Sequence, residues 1–482
     1  MRKLITLTLA LFIFAGCADD FLDTVPESTI NDEQLATSSS SYAAIINGVY
    51  SALRSYGLSI SGNHEDYGHK SILAATDMMS NDMLMTKSSW YGSFYNYLGR
   101  QQTNSRSKLA WTIYYPQIKT LNVVLTAVPP ELATDSGFKG VRGEALALRG
   151  YFYFMLARIY GPTYVGHGDE LSVPIYTTVT LEGAPRATVN EVYTLIEKDL
   201  LESIALLQGI AGSGNNAVNQ NVAKAFLADV YLEMGKYEEA ANLAHQAKQS
   251  YPLLLKTEWL NGFYDLTLNK DTMWGATITS AQSSFVASFF SHFDNTNGDG
   301  YAGGLEIYKN IDKNLYNSIP DTDYRKTAFV SPDGNEDYPD LPAYANIKFR
   351  DPTVDAGDYI YLRAAAMYYI EAEALAKSGN EPGARQVLYD ITKTRDTSYV
   401  ISTKSGPPLI DEIILQKRIE LWGEGYAWFD MKRLGVPLTR DYPGSNHATF
   451  GKFNIPVGDN RFIFQVPQAE IDANPLIDQS PL

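Results

Sequence analysis

The stretch LADVYLEMGKYEEAANLAHQAKQSYP, residues 227–252, carries the clearest architectural signal in the chain. Leu227, Ala228 and Tyr231 recur at helical spacing, Gly235-Lys236-Tyr237 interrupts the run as a turn, and Ala240, Ala244 and Ala247 share one face of a second helix that Pro252 ends. Small residues at these positions let two antiparallel helices approach closely, and larger apolar residues fill the other contacts. A weaker copy of the same order lies at Ala372, Leu375, Gly379, Ala384, Leu388 and Ile391. One helix pair cannot bury both its faces, so two such units imply further, more degenerate ones.

The unit resembles a tetratricopeptide repeat, with Ala228 where Gly is usual. Elsewhere the strong periodicity is also helical. Ala145, Leu148, Phe152, Met155, Leu156 and Ile159 line one face of a helix over 141–160 that Gly161-Pro162 stops, with Tyr151, Phe152 and Phe154 expected in the core. Thr188 and Glu191 form a capping box before Val192, Leu195, Ile196 and Leu200. Helical periodicity lapses over about 259–345, where Gly, Asn, Asp and aromatic residues accumulate, and residues 59–106 have the same character. Long loops inside a compact domain are usually functional, so the helices read as scaffold and these two loop-rich regions as the working face.

With 482 residues, 45% of them hydrophobic, the chain can bury a large core. Its single Cys excludes a disulfide framework and a cysteine-built metal site. A net charge of -16 excludes nucleic acid as a partner, since that affinity is mostly phosphate neutralisation by Lys and Arg. Anionic membrane surfaces are disfavoured for the same reason, so membrane attachment has to come from a lipid or a spanning helix.

Residues 1–16 read as a secretory signal: Arg2 and Lys3, an apolar run over 4–14, then Ala15 and Gly16 before Cys17. That run is too short for a permanent span, and no later apolar run is long enough for one. Phe14-Ala15-Gly16-Cys17 resembles a lipobox, which makes Cys17 the expected lipidation site and membrane attachment a matter of the lipid alone. Loss of Arg2 and Lys3 takes the charge of the mature chain, 17–482, from -16 to -18. Outside the cytoplasm there is no supply of ATP or NAD, so no nucleotide cofactor is expected.

Several further stretches together are specific. They are CADDFLDTVP at 17–26, GEALALR at 143–149 leading to Tyr160-Gly161-Pro162, YLRAAAM at 361–367 with EAEAL at 371–375, and RIEL at 418–421 with Gly423-Glu424-Gly425. FDMKR at 429–433 and IDANP at 471–475 complete the set. In these the chain is similar to the RagB/SusD family of outer-membrane lipoproteins of the Bacteroidetes, with Lys417 where the family more often has Glu. The resemblance implies a mostly α fold, with 17–482 forming one SusD-like domain on a tetratricopeptide-like helical-repeat scaffold with a loop-rich, irregular ligand-binding face. It implies glycan capture at the cell surface for a SusC-like TonB-dependent outer-membrane transporter, without catalysis, and RagB-like members instead take peptides. Arg418, Glu420, Glu424, Asp430 and Arg433 read as a helix-borne charge network that fixes packing, because cationic neighbours hold carboxylates ionised where a general acid needs a raised pKa.

Sugar binding needs flat aromatic platforms for pyranose C–H faces and planar polar groups for hydroxyls. Trp90 with Tyr91 and Asn81, and Trp274 with Phe293 and Tyr301, are the expected binding clusters; Ser88, Ser89, Gly92 and Ser93 offer little to bury Trp90. Asn295, Asn297, Asp299, Gly300 and Glu306 fall at EF-hand-like positions one, three, five, six and twelve, making Ca²⁺ the one candidate cofactor. The six histidines lack metal-ligand spacing, and no nucleophile elbow or phosphate loop occurs. Gly298-Asp-Gly300-Tyr-Ala-Gly303 fits a dinucleotide pattern without the strand and helix that such a site requires. The rival reading is a surface glycosidase with paired carboxylates drawn from Asp77, Asp82 or Glu306.

Overall fold

Thr188 opens a helix in the computed structural model as its sequence implies: its hydroxyl accepts the Glu191 N–H, and the Glu191 carboxylate accepts the Thr188 N–H. The structure describes residues 38–480 apart from Ser61, Ser213, Val354 and Asp355, so the signal segment and Cys17 lie outside the described residues. The principal helices are α1 (Ser39–Ala52), α2 (His69–Met78), α3 (Leu109–Ala127), α4 (Ser136–Tyr160), α5 (Val189–Leu206) and α6 (Gln220–Met234). They continue as α7 (Tyr237–Lys248), α8 (Ala364–Lys377), α9 (Glu381–Arg395), α10 (Pro407–Glu420) and α11 (Ala427–Leu434). The fold is mostly helical, with a tetratricopeptide-like scaffold.

From α3 to α9 each helix packs against the next, and α7 packs directly on α8. The two sequence repeats, α6–α7 and α8–α9, are therefore neighbours in space, and the long segment between them leaves the stack after α7 and returns to it at α8. Gly235 and Gly379 make the two repeat turns with φ of +76° and +91°, a region that L side chains rarely enter. Gly143 and Gly150 set the α4–α5 approach, because a Cβ on either would press on Leu207 or Leu200. Across the same interface Arg149 makes a two-pronged ion pair with Asp199 and also donates to Asn122 of α3. Ala228, Ala240, Ala244 and Ala247 are fully buried between the paired helices. Ala240→Leu should therefore overpack the α6–α7 pair and cost about 1–3 kcal/mol, read as a lowered unfolding midpoint; an unchanged midpoint would contradict the close approach.

Among the described residues, three two-stranded antiparallel sheets tie the irregular segments down. β1 (Met83–Met85) pairs with β3 (Lys309–Ile311), with Leu84 opposite Asn310. β2 (Thr272–Ala276) pairs with β4 (Tyr359–Arg363), and β5 (Leu438–Thr439) with β6 (Asn454–Ile455). The β1–β3 pair joins the two loop-rich regions, which are far apart in sequence. Neither region is wholly a working face, however. α2 lies within 59–106 and is buried at every residue, and β2 is buried throughout, so much of both regions is core.

Candidate functional site

The β1–β3 pairing lays the 86–90 loop against the 301–308 loop. Thr86 N–H donates to the Tyr308 carbonyl, and Tyr308 N–H to Thr86 Oγ1, both at 3.1 Å. After exposed Lys87 and Ser88 the chain turns sharply at Tyr91, whose φ of +69° is left-handed. The buried Glu65 carboxylate accepts the Tyr91 N–H and holds this strained turn in place. Consecutive side chains consequently part: the Tyr91 ring enters the core and its hydroxyl bonds Tyr67, while the Trp90 indole stays half-buried at the surface.

Around Trp90 lies an aromatic patch. The His64 ring is 5.2 Å from the indole and 6.0 Å from Tyr56, which is 46% exposed. Tyr301, half-buried, meets Trp90 edge-on at 6.1 Å, and its hydroxyl shares a 2.6 Å hydrogen bond with His64 Nδ1. Beneath it His292 stacks on Tyr301 at 4.9 Å and donates from Nε2 to the His64 carbonyl. Burial, with Lys309 nearby, pushes the His292 pKa down to about 3, so this supporting ring is neutral at ordinary pH. Arg106 caps the other side, its guanidinium 5.7 Å from the indole centroid and its Nε donating to Glu65 Oε2 at 2.7 Å. The patch thus combines ring faces with N–H and O–H groups at their edges, a surface suited to a flat ligand carrying both C–H faces and hydroxyls.

Trp90 and Tyr301, assigned to separate clusters from sequence, belong to one patch. The other four expected binding residues do not. Tyr91 is 0% exposed because the left-handed turn directs it inward. Trp274, 1% exposed, sits on β2 among His69, Tyr151, Phe226 and Tyr361. Phe293, 0% exposed, stacks on Phe289 at 4.6 Å. Asn81 braces β5, donating to the Pro437 carbonyl and accepting the Thr439 N–H. Tyr56, His64, Glu65 and Arg106 join the patch without a motif of their own, their one sequence signal being the mixture of aromatic, Gly and polar residues in YGLSISGNHEDY at 56–67.

The calcium spacing does not become a cage. Asn295 turns inward, its amide donating to the Lys309 and Asn346 carbonyls and accepting the Lys309 N–H, because it is buried with the β3 backbone. Asn297 accepts the N–H of exposed Asp299, and Glu306 turns outward to an ion pair with Lys87 at 2.7 Å. Among the described residues no group of three or more His, Cys, Asp or Glu side chains is placed to hold a metal ion.

The carboxylates of the glycosidase reading are likewise engaged in structure. Asp77 is buried and accepts the Gly425 and Ala427 N–H groups, and burial pushes its pKa up to about 7. Asp82 is buried against Arg418. Nor do the five charged residues near the C-terminus form one helix-borne network. Arg418 pairs with Asp82, Glu424 with Lys348 and Arg363, Arg433 with Glu373 and Asp430, and Glu420 with Arg325, Arg363 and Arg395. Most partners come from remote segments, so the charges join elements rather than stabilise a helix. Lys417 finds Asp430 at 2.7 Å.

Comparison with known proteins agrees with this architecture. A family profile described as starch-binding, associating with the outer membrane, matches residues 20–232, and the profile of the SusD family matches residues 344–482. SusD-like protein P38 of Formosa agariphila is 22% identical over 89% of this chain and 91% of its own. A SusD-like carbohydrate-binding protein from Bacteroides vulgatus superposes with a TM-score of 0.79 at 26% identity, covering 91% of this chain and 97% of that one. A laminarin-binding SusD-like protein shares the fold with a TM-score of 0.66 at 21% identity, covering 92% and 99%. The chain belongs to the SusD/RagB family. No helix among the described residues is long and apolar enough to cross a membrane.

Proposed function

We propose that the protein binds an oligosaccharide or polysaccharide through the Trp90–Tyr301 patch, without transforming it. The observation that carries this reading is the assembly at the surface of Trp90, Tyr301 and His64 from segments remote in sequence, with a buried histidine and a buried carboxylate holding them. The family's description as starch-binding and the laminarin-binding neighbour support the ligand class. Burial of Asp77 and Asp82, and the Lys87 ion pair that holds exposed Glu306 ionised where a general acid needs a raised pKa, support binding without hydrolysis. The family's outer-membrane association and the lipobox-like sequence ending at Cys17 support a lipid-anchored surface protein that delivers its ligand to a SusC-like TonB-dependent transporter.

Trp90→Ala should keep the wild-type unfolding midpoint, because the indole is only half-buried, and lose about 2 kcal/mol of glycan affinity, roughly 30-fold. Calorimetric titration with the cognate glycan checks it. Unchanged affinity would remove the patch as the binding site.

A further inference from the structure

We propose that the patch takes acidic glycans, with Arg106 receiving a uronate or sulfate group of a sugar laid on the Trp90 ring; the inference rests on the glycan-binding reading above. A guanidinium carries five N–H donors in a planar fork, and recognition of a carboxylate or sulfate uses one edge of that fork. Two donors of Arg106 are spent, Nε on Glu65 Oε2 at 2.7 Å and one Nη1 hydrogen on Ser105 Oγ at 3.3 Å. Both Nη2 hydrogens and the second Nη1 hydrogen have no partner among the described residues, so the edge between Nη1 and Nη2 is open. The side chain is 24% exposed, and its guanidinium carbon lies 5.7 Å from the Trp90 ring centroid. The open donors therefore stand within reach of the substituents of a sugar on the indole.

The two spent donors hold the fork in place. Asn104 accepts the Arg106 N–H at 3.0 Å and caps the tight helical turn Ser105–Lys108 from which the side chain rises. Glu65 lies beneath, 1% exposed, with one oxygen on Arg106 and the other on the Tyr91 N–H, so it orients the cation without presenting a free carboxylate to the ligand. A fork fixed in this way loses little freedom on binding. A hydroxyl of a neutral sugar would use one of the open donors, whereas a carboxylate or sulfate takes two together through shorter, charge-assisted bonds. Arg106 balances Glu65 and Lys87 balances Glu306, with Lys309 buried on β3 below, so the chain's net charge of -16 is not concentrated at these groups. Repulsion from charges elsewhere on the surface is screened beyond about 8 Å at physiological ionic strength, and the contact with Arg106 is not.

The test is calorimetric titration of the full mature chain, at physiological ionic strength, with polygalacturonate, alginate and a sulfated galactan, and with each after carboxyl reduction or desulfation. At least one acidic polymer should bind, and its uncharged counterpart should bind about tenfold more weakly; loss on carboxyl reduction marks a uronate as the recognised group, and loss on desulfation a sulfate. Arg106→Lys keeps a cation for Glu65 but lacks the fork, so it should lose about tenfold in affinity for that acidic polymer and change affinity for the uncharged counterpart by less than about twofold. Binding of the wild type only to uncharged polymers, laminarin, starch and xylan included, would overturn the inference and leave the glycan-binding reading standing. Equal affinity for an acidic polymer and its uncharged counterpart would do the same, as would a natively folded Arg106→Lys chain with wild-type affinity for the acidic one. Acidic binding that Trp90→Ala leaves intact would put the ligand away from the patch and overturn both. Failure of every polymer, charged and uncharged, to bind the wild type would overturn the glycan-binding reading itself, and this inference with it.

Discussion

Glu420→Ala should destabilise the protein by about 3–5 kcal/mol, because it leaves three buried guanidinium groups facing one another without the carboxylate they share. Glu420 is fully buried at the end of α10. Its Oε2 accepts from Arg325 Nη1 at 3.1 Å and Arg395 Nε at 3.0 Å, and its Oε1 accepts from Arg395 Nη2 at 3.0 Å and Trp259 Nε1 at 2.9 Å. Arg363 of β4 adds a longer contact at 3.4 Å. The carboxylate thus joins α9, α10, β4 and two irregular segments around one point. Burial alone would raise its pKa, but Arg395, Arg363 and Arg325 outweigh that and hold it well below the usual carboxylate range. Glu424, buried with Arg363 and Lys348, is likewise held down, at about 2. A carboxylate depressed in the folded state contributes stability that is complete above its unfolded pKa of about 4.3 and fades as pH falls towards the folded value. This cluster should therefore stabilise the fold fully at neutral pH and lose its contribution between about pH 4 and pH 2. Urea unfolding of wild type and variant at neutral pH measures the first effect, and a wild-type midpoint for Glu420→Ala would show that the guanidinium groups had found other partners.

The repeats, the capping box and the helix stops were legible because each is local: periodicity, a Thr three residues before a Glu, a Gly where φ must be positive. The α7–α8 contact was not legible, because the two repeats stand more than a hundred residues apart and nothing local in either one names its neighbour. Location in the core was harder to read. Trp90 could be placed at the surface from its Ser and Gly neighbours, but Tyr91 next to it could not be placed inside, because nothing in the sequence announces a tyrosine in a left-handed turn. The partner holding that turn, Glu65, is remote from it in sequence and carries no motif. Asn295 and Glu306 have the spacing of calcium ligands, yet packing against β3 takes one inward and the pair with Lys87 takes the other outward. The charged residues near the C-terminus make buried ion pairs, but not along one helix as their spacing implies, since Arg325, Lys348, Arg363 and Arg395 reach them from segments without a shared pattern.

Trp274→Ala should behave as the converse of the Trp90 substitution, losing about 3–5 kcal/mol of stability while the folded fraction keeps its glycan affinity. In sequence only Trp90 has neighbours too small and polar to bury it, and core packing against the helices is an equal reading of Trp274. In the structure Trp274 stands on β2 opposite Leu362 of β4, and Tyr361 packs on its ring at 5.0 Å. Phe226 of α6 and Tyr151 of α4 lie at 5.5 Å, and His69 of α2 at 5.6 Å. Truncation opens a cavity where the helical stack meets the β2–β4 pair, and these neighbours, each held by its own element, can close it only partly. The patch should be untouched, because neither Trp90 nor Tyr301 contacts that ring set. Its supports are Glu65 below the 90–91 turn and His292 below Tyr301. Chemical denaturation and glycan titration of both variants separate the roles. A Trp274→Ala chain with wild-type stability and no binding would move the ligand into the interior at β2, and it would leave Trp90 as an ordinary surface residue.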